Sequence, residues 1–288
     1  MEKKYIIRIF SSFCPSEDCK GVYEKICEVF NMNNYGKDKN IYITNDEDYT
    51  HVIILNTAMP KIKQNIPKNN VIGFAFEPKQ FLNLTSQFIE YAKKNIGKYY
   101  IGYKTELGEP FIERYSHMWY IEPLKSEPIK NKIMSIMVSQ KVSEKGHLYR
   151  HVLVNKILES NLPIDIYGRG CKFYNYKKDS RVKGEFKEYE PYINYKFHIS
   201  IENCVIKCYF TEKIMNPLLC NTTPIYLGCE DIEKYFPNNT ILLSGEIEDD
   251  LKLLTDICNN PDNFIKDIDI NKVKNRINLL KNLDELFL

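Results

Sequence analysis

The chain has 288 residues, of which 43% are hydrophobic and 27% charged, a globular composition long enough for one large domain or two ordinary ones. Its 40 basic and 38 acidic side chains leave a net charge of +2, which excludes a global basic field for nucleic acid or an anionic membrane. Nine cysteines without a C-x-x-C pair read as reduced thiols of a cytosolic protein rather than a disulfide scaffold.

Tyr5 to Phe10 is an apolar run of strand length, followed by a helix over Val22 to Phe30. The opening apolar run is too short for a signal peptide or a membrane anchor, so the three N-x-T triplets at Asn83, Asn221 and Asn238 read as chance matches. His51 to Asn56 and Val71 to Phe76 are further strands, the latter ending at Glu77-Pro78. Phe81, Leu84, Phe88 and Tyr91 recur at helical spacing over Gln80 to Lys94, and Tyr99 to Tyr103 returns to a strand. Two prolines and several charges between Ile121 and Lys132 suggest a linker, dividing the chain into residues 1–132 and 133–288. A second alternating set follows: strands over Ile133 to Val138, Ile164 to Tyr167, Phe197 to Ile201, Thr223 to Leu227 and Thr240 to Leu243. Helices fall over His147 to Glu159, Thr211 to Cys220 and Asp231 to Tyr235, with a helical tail from Pro261 to Leu288. Phe173 to Glu188 reads as a solvated basic loop. Strands alternating with helices predict parallel α/β layers, and two such domains predict a ligand site in the cleft between them, at the carboxyl ends of strands.

The stretch YFTEKIMNP poses a physical problem. Thr211 is a good N-cap, which puts Lys213 in the first turn, where a cation opposes the helix dipole. A bound anion would resolve it, because free N–H groups, dipole and ammonium would converge on a phosphate. Glu212 would then accept hydrogen bonds from sugar hydroxyls. A surface Glu–Lys pair is the other reading. Pro217 lies far enough into the helix to bend it.

The run from Tyr195 to Gly228 resembles the donor-binding signature of glycosyltransferase family 10, the α1,3/4-fucosyltransferases. The matching residues are Tyr195-Lys196-Phe197, Glu202-Asn203, Tyr209-Phe210-Thr211-Glu212-Lys213 and Pro224-Ile225-Tyr226-Leu227-Gly228. Arg150 on a helix ahead of Asp165 to Gly170, and Gly73 to Pro78 around Glu77, are similar to two further family segments. The resemblance is thin over the first 70 residues.

The resemblance implies a GT-B type fold of two Rossmann-like domains facing a central cleft, an N-terminal acceptor domain and a C-terminal donor domain with a terminal helix. It also implies a GDP-sugar donor, usually GDP-fucose, inversion at the anomeric carbon, and no required divalent ion. A single displacement needs one base and positive charge at the departing diphosphate. Glu77 is the candidate base, its proton affinity expected to be raised by desolvation at the end of an apolar strand. Arg150 and Lys213 are the candidate diphosphate cations. Asn203 and Tyr209 would shape the sugar and nucleotide pocket, Gly168 and Gly170, which bracket Arg169, would let a turn approach the ligand, and Ser139 is a weaker nucleotide contact. His198 reads as structural.

No metal cluster or D-x-D diphosphate motif is visible; Asp267-Ile268-Asp269 lies in the tail. The terminal helix, with Val273, Ile277, Leu280, Leu283 and Phe287 on one side, suits docking on the protein better than on a membrane. The expected partners are a nucleotide-sugar donor and a glycan acceptor. The expected location is the cytoplasm, including a peripheral position at a membrane. The Lys172 to Lys187 segment lacks the groove-scale charge and stacking platform of a nucleic-acid binder. Two other readings stay open: the same fold with another nucleotide-deoxysugar donor, and a nucleotide-sugar or glycan binding protein without turnover.

Overall fold

The computed structural model describes residues 4–288. Two compact α/β units emerge, one running to Met118 and taking in Ile277–Leu288, the other Trp119–Arg276. In the first, β1 (Tyr5–Ser11), β2 (Ile41–Ile43), β3 (His51–Leu55), β4 (Val71–Phe74), β5 (Lys98–Ile101) and β6 (Phe111–Glu113) form one parallel sheet in the order β2-β1-β3-β4-β5-β6. All five residues of β3 and all four of β4 are buried, as expected where both faces of a parallel sheet are covered. Helix α1 (Ser16–Val29) follows β1 and α2 (Ser86–Asn95) follows β4.

The helix expected over Gln80 to Lys94 is broken. A short 3-10 turn, Lys79–Phe81, precedes α2, with Asn83 between them in the left-handed region at φ 49°. Thr85 sets the true start, its hydroxyl accepting from the Phe88 N–H at 3.1 Å. The sequence reading also missed the short strands β2 and β6.

In the second unit β7 (Lys132–Met137), β8 (Ile164–Tyr167), β9 (Val182–Gly184), β10 (Tyr195–Ile201), β11 (Thr223–Leu227) and β12 (Ile241–Leu242) lie parallel in the order β12-β11-β10-β7-β8-β9. Helices α3 (Lys145–Glu159), α4 (Glu212–Leu219) and α5 (Ile247–Asn259) pack on it, and α6 (Ile270–Ile277) follows in the chain. The core joins Ile136, Ile166, Phe197, Ile199 and Ile225 of the sheet to Leu153, Val154 and Ile157 of α3 and Leu254 and Ile257 of α5. Helix α5 was not anticipated. The basic stretch expected to be a solvated loop holds β9, which pairs with β8 through Ile166 and Tyr167.

The expected division at residue 132 differs from the observed one. The proline-rich segment docks on the second unit: Ile121 N–H donates to Asn216 Oδ1 at 3.0 Å, and Lys130 Nζ donates to the Cys220 carbonyl at 2.6 Å. The tail is two helices rather than one. Asn278 Oδ1 accepts from Leu280 N–H at 2.9 Å, a local bond that competes with helix continuation. Beyond it, α7 (Leu283–Phe287) belongs to the first unit, where Tyr100 Oη donates to the Leu286 carbonyl at 2.6 Å and Phe287 packs on Tyr5 and His51.

Candidate active site

The second sheet changes direction between β7 and β10. Strands β8 and β9 lie to one side, β11 and β12 to the other, so a crevice opens at the carboxyl ends where the order reverses. A cavity of about 680 Å³ occupies that place, a volume typical of ligand sites. Its floor is Met137, Val138 and Ser139 past β7 and Ser200, Ile201 and Asn203 at the end of β10. A larger hollow of about 990 Å³ meets Lys196 and Thr223 at the opposite, amino ends of β10 and β11, with Asp267 and Asp269 on its wall. The switch point is the chemically organised one.

The first wall is the start of α3. Gly146 comes so close to β10 that a Cβ there would lie 1.9 Å from the Glu202 carbonyl oxygen; its N–H donates to the Asn203 carbonyl at 3.1 Å. That contact carries the next turns of α3 over the cavity. Arg150, only 6% exposed, donates from Nε to the Gly146 carbonyl at 3.1 Å and from Nη2 to Asn203 Oδ1 at 2.7 Å. Burial lowers its proton affinity, against the pull of Glu202, Glu212 and Tyr209, but a guanidinium keeps its charge. His147 is held neutral. Burial, then Arg150 and Lys141, push it down to about 4, and its Nδ1 accepts the Glu144 N–H at 3.3 Å.

The second wall is the start of α4. Thr211 is the N-cap, as expected, accepting from the Lys213 N–H at 3.3 Å. Pro217 has no N–H to give the Lys213 carbonyl; Ser200 Oγ of β10 donates there instead, at 2.7 Å. The helix is thereby fastened to the strand at the turn that carries the lysine.

The anion that compensates Lys213 belongs to the protein. Glu202, whose side chain is fully buried, lies 3.6 Å from Lys213 Nζ and accepts the Thr211 N–H at 2.8 Å and the Thr211 hydroxyl at 2.8 Å. Glu212 accepts from Nζ at 3.0 Å. Burial alone would lower the lysine's proton affinity; Glu212 and Glu202 reverse this and hold it charged. Burial likewise opposes ionisation of Glu212, but Lys213 overcomes it and keeps the carboxyl below the ordinary range. Glu202 goes the other way, its carboxyl raised by burial in spite of Lys213.

The third wall is the β8–β9 edge. Gly168 has φ +106°, a conformation open to glycine, and a Cβ would lie 2.4 Å from the Val138 carbonyl oxygen. Its N–H donates to the Gly184 carbonyl at 2.7 Å, bringing Glu185 and Phe186 onto the same wall as Arg169.

Ser139, Arg150, Gly168, Arg169, Asn203, Glu212 and Lys213 thus line one cavity. Tyr209 is 4% exposed and does not line the cavity, though it lies close enough to act on the Arg150 guanidinium. Glu77 lies on the first unit in a bend after β4, exposed to solvent, so the expected desolvation of its carboxylate is not found. His198 is fully buried yet reaches the cavity lining; its Nδ1 meets Ser135 Oγ at 2.8 Å and burial pushes it down to about 3. Sequence reasoning missed His147, Glu185 and Phe186, and left Glu202 without a role. The misplaced lysine was itself the signal for Glu202, since it required a nearby anion.

Comparison with known proteins falls on the same segment. Residues 127–254 match the family model for the C-terminal part of glycosyltransferase family 10 (fucosyltransferase). Over this segment the chain is similar to the family 10 glycosyltransferases. A fucosyltransferase-like protein of Acanthamoeba polyphaga mimivirus is 27% identical over 190 residues, 60% of this chain and 29% of that protein. Alpha-(1,3)-fucosyltransferase B of Drosophila melanogaster is 38% identical over 90 residues, 29% of this chain and 20% of that protein. The chain therefore matches less than a third of the length of these relatives. Among solved structures, an alpha1,3-fucosyltransferase with GDP-fucose aligns at TM-score 0.51 and 13% identity, over 96% of this chain and 82% of that one. A glycosyltransferase from Rickettsia africae aligns at TM-score 0.53 and 14% identity, over 99% and 98%. The two parallel α/β units share the fold of the GT-B glycosyltransferases. Among the described residues no group of three or more His, Cys, Asp or Glu side chains is placed to hold a metal ion, and no helix is long and apolar enough to cross a membrane.

Proposed function

We propose that the chain transfers fucose from GDP-fucose to a hydroxyl of a glycan acceptor, with inversion at the anomeric carbon. The observation that carries this reading is the pair of cations, the buried Arg150 and the partly buried Lys213, on α3 and α4 beside the switch point of the second sheet. Both are held by protein carboxylates or amides, so their positions are set before a ligand arrives.

In the proposed reaction the acceptor oxygen gives its proton to the Glu77 carboxylate and uses the freed electron pair to bond the anomeric carbon. The bond from that carbon to the diphosphate oxygen breaks, and its electron pair leaves on GDP. Arg150 can grip two phosphate oxygens and Lys213 adds a point charge, so the departing anion is met by fixed cations. Asn203 orients Arg150, and Glu212, 43% exposed at the rim, is free on one face to accept sugar hydroxyls. His147, neutral near pH 7, adds no third charge.

The reading is tested by calorimetric titration of the purified protein, without added metal, with GDP, GDP-fucose, GDP-mannose and UDP, followed by transfer assays on glycan acceptors. Binding of GDP and GDP-fucose with transfer of fucose supports it. Preference for UDP, or no nucleotide binding by the folded protein, overturns it. Binding of GDP-fucose with no transfer to any acceptor would favour a binding protein.

A further inference from the structure

The cavity extends beyond the cations. From Asn203 at the end of β10 it crosses Ser139 past β7 to Gly168 past β8 and Glu185 past β9. Three strand spacings are about 14 Å, the length scale of a nucleoside diphosphate laid across the sheet. With the diphosphate between the starts of α3 and α4, the base falls at the β8–β9 edge.

That edge has what a purine needs. Phe186 is the benzene ring on the cavity wall, 37% exposed. It stands edge-on to Tyr167, with ring centres 6.2 Å apart at 85°. Tyr167 is itself pinned: its hydroxyl meets that of Tyr195 at 2.8 Å, and Tyr195 Oη donates to Asp165 Oδ2 at 2.6 Å. The exposed ring thus rests on a braced support. Beside it, the exposed Glu185 carboxylate has no hydrogen bond or ion pair to another described residue. Arg169 lies on the same wall.

We propose that Glu185 and Phe186 form the base-recognition end of the donor site and that Glu185 makes it selective for guanine. This rests on the nucleotide-sugar reading above. A carboxylate only accepts hydrogen bonds. Guanine offers two adjacent donors, N1–H and the 2-amino group, which a carboxylate can engage together. Adenine places an acceptor at N1, and uracil flanks its one N–H with carbonyl oxygens, so both set lone pairs against Glu185. The O6 of guanine beside those donors suits the Arg169 guanidinium, which only donates. Phe186 supplies a stacking face that does not distinguish bases.

The test compares GDP, IDP and UDP by calorimetry on the wild-type chain and on Glu185→Ala, Phe186→Ala and Lys213→Ala. IDP differs from GDP by loss of the 2-amino group alone. The wild type is expected to prefer GDP over IDP by about tenfold. In Glu185→Ala that ratio falls towards one while UDP binding does not weaken. Phe186→Ala weakens GDP and IDP by similar factors. Both residues lie on the surface, and circular dichroism checks that the variants fold. GDP binding that needs Lys213 but keeps its preference over IDP in Glu185→Ala overturns this inference and leaves the donor-site reading standing. No nucleotide binding by the wild type overturns both.

Discussion

The two units have nearly the same architecture and opposite interiors. Each is a six-stranded parallel sheet with a reversal of strand order, at β1/β3 in the first and β7/β10 in the second. The first unit's buried polar side chains are the uncharged or titrating Thr44, His51, Ser116, His117 and Asn278. The second buries Arg150, Glu202 and Asp250, the described Arg, Lys, Asp or Glu residues with the least exposure. Asp250 is explained by local structure, since it accepts the Ser244 and Gly245 N–H groups at 2.7 and 3.0 Å ahead of α5. Glu202 also anchors the start of α4 through Thr211, while Arg150 is bonded only to Gly146 and Asn203 and faces the cavity. Burying a charge costs several kcal/mol unless it is paired and hydrogen-bonded. The contrast teaches that one scaffold supports either interior, and that chemistry resides where the chain sustains that cost.

The sharpest attempt to break the contrast is Glu77→Gln. As proposed base, Glu77 supplies chemistry and no donor binding, so kcat should fall by about a thousandfold while GDP affinity by calorimetry is unchanged. A parallel loss of GDP affinity would extend the binding machinery to the first unit. Lys213→Ala should cost about 3 kcal/mol in the transition state, a hundredfold or more in kcat/KM, read by steady-state kinetics.

Glu202→Ala should be felt in folding. It strips the partly buried Lys213 of one carboxylate and Thr211 of its acceptor, which should destabilise the chain by about 3 kcal/mol and lower Tm by about 8 °C; a Tm equal to wild type in scanning calorimetry would show that Glu212 alone suffices. Leu283→Ala, at the buried start of the terminal helix α7, should cost about 2 kcal/mol in urea unfolding with GDP affinity intact. The smallest effect is acid sensitivity. His147 and His198 are neutral in the fold down to about 4 and about 3, so the unfolded chain binds more protons as pH falls below the ordinary histidine range. Stability is therefore full above about pH 7 and should drop by roughly 1 kcal/mol by about pH 6, with a shallower slope in His147→Gln.

Much of this was legible in the residues. Runs such as HVIIL and TPIYL are apolar, of strand length and bounded by turns, and both formed the expected strands. Thr211 capped α4 because a threonine ahead of an apolar helix does so from local chemistry. The residues expected to hold the donor were legible as a motif, and all but Tyr209 line the cavity. What failed was non-local. Strands as short as β2, β6 and β9 carry too little pattern to stand out, and they exist because a neighbouring strand offers a ladder.

The sequence by itself determined the alternation of strands and helices and the helix start at Thr211, because each depends on residues within a few positions of one another. Only the tertiary structure decided which carboxylate answers Lys213, which tail helix rejoins the first unit, and that Glu185 shares a wall with Gly168. Those depend on strand order, which brings together residues far apart in the chain, and strand order follows from packing that no local pattern encodes.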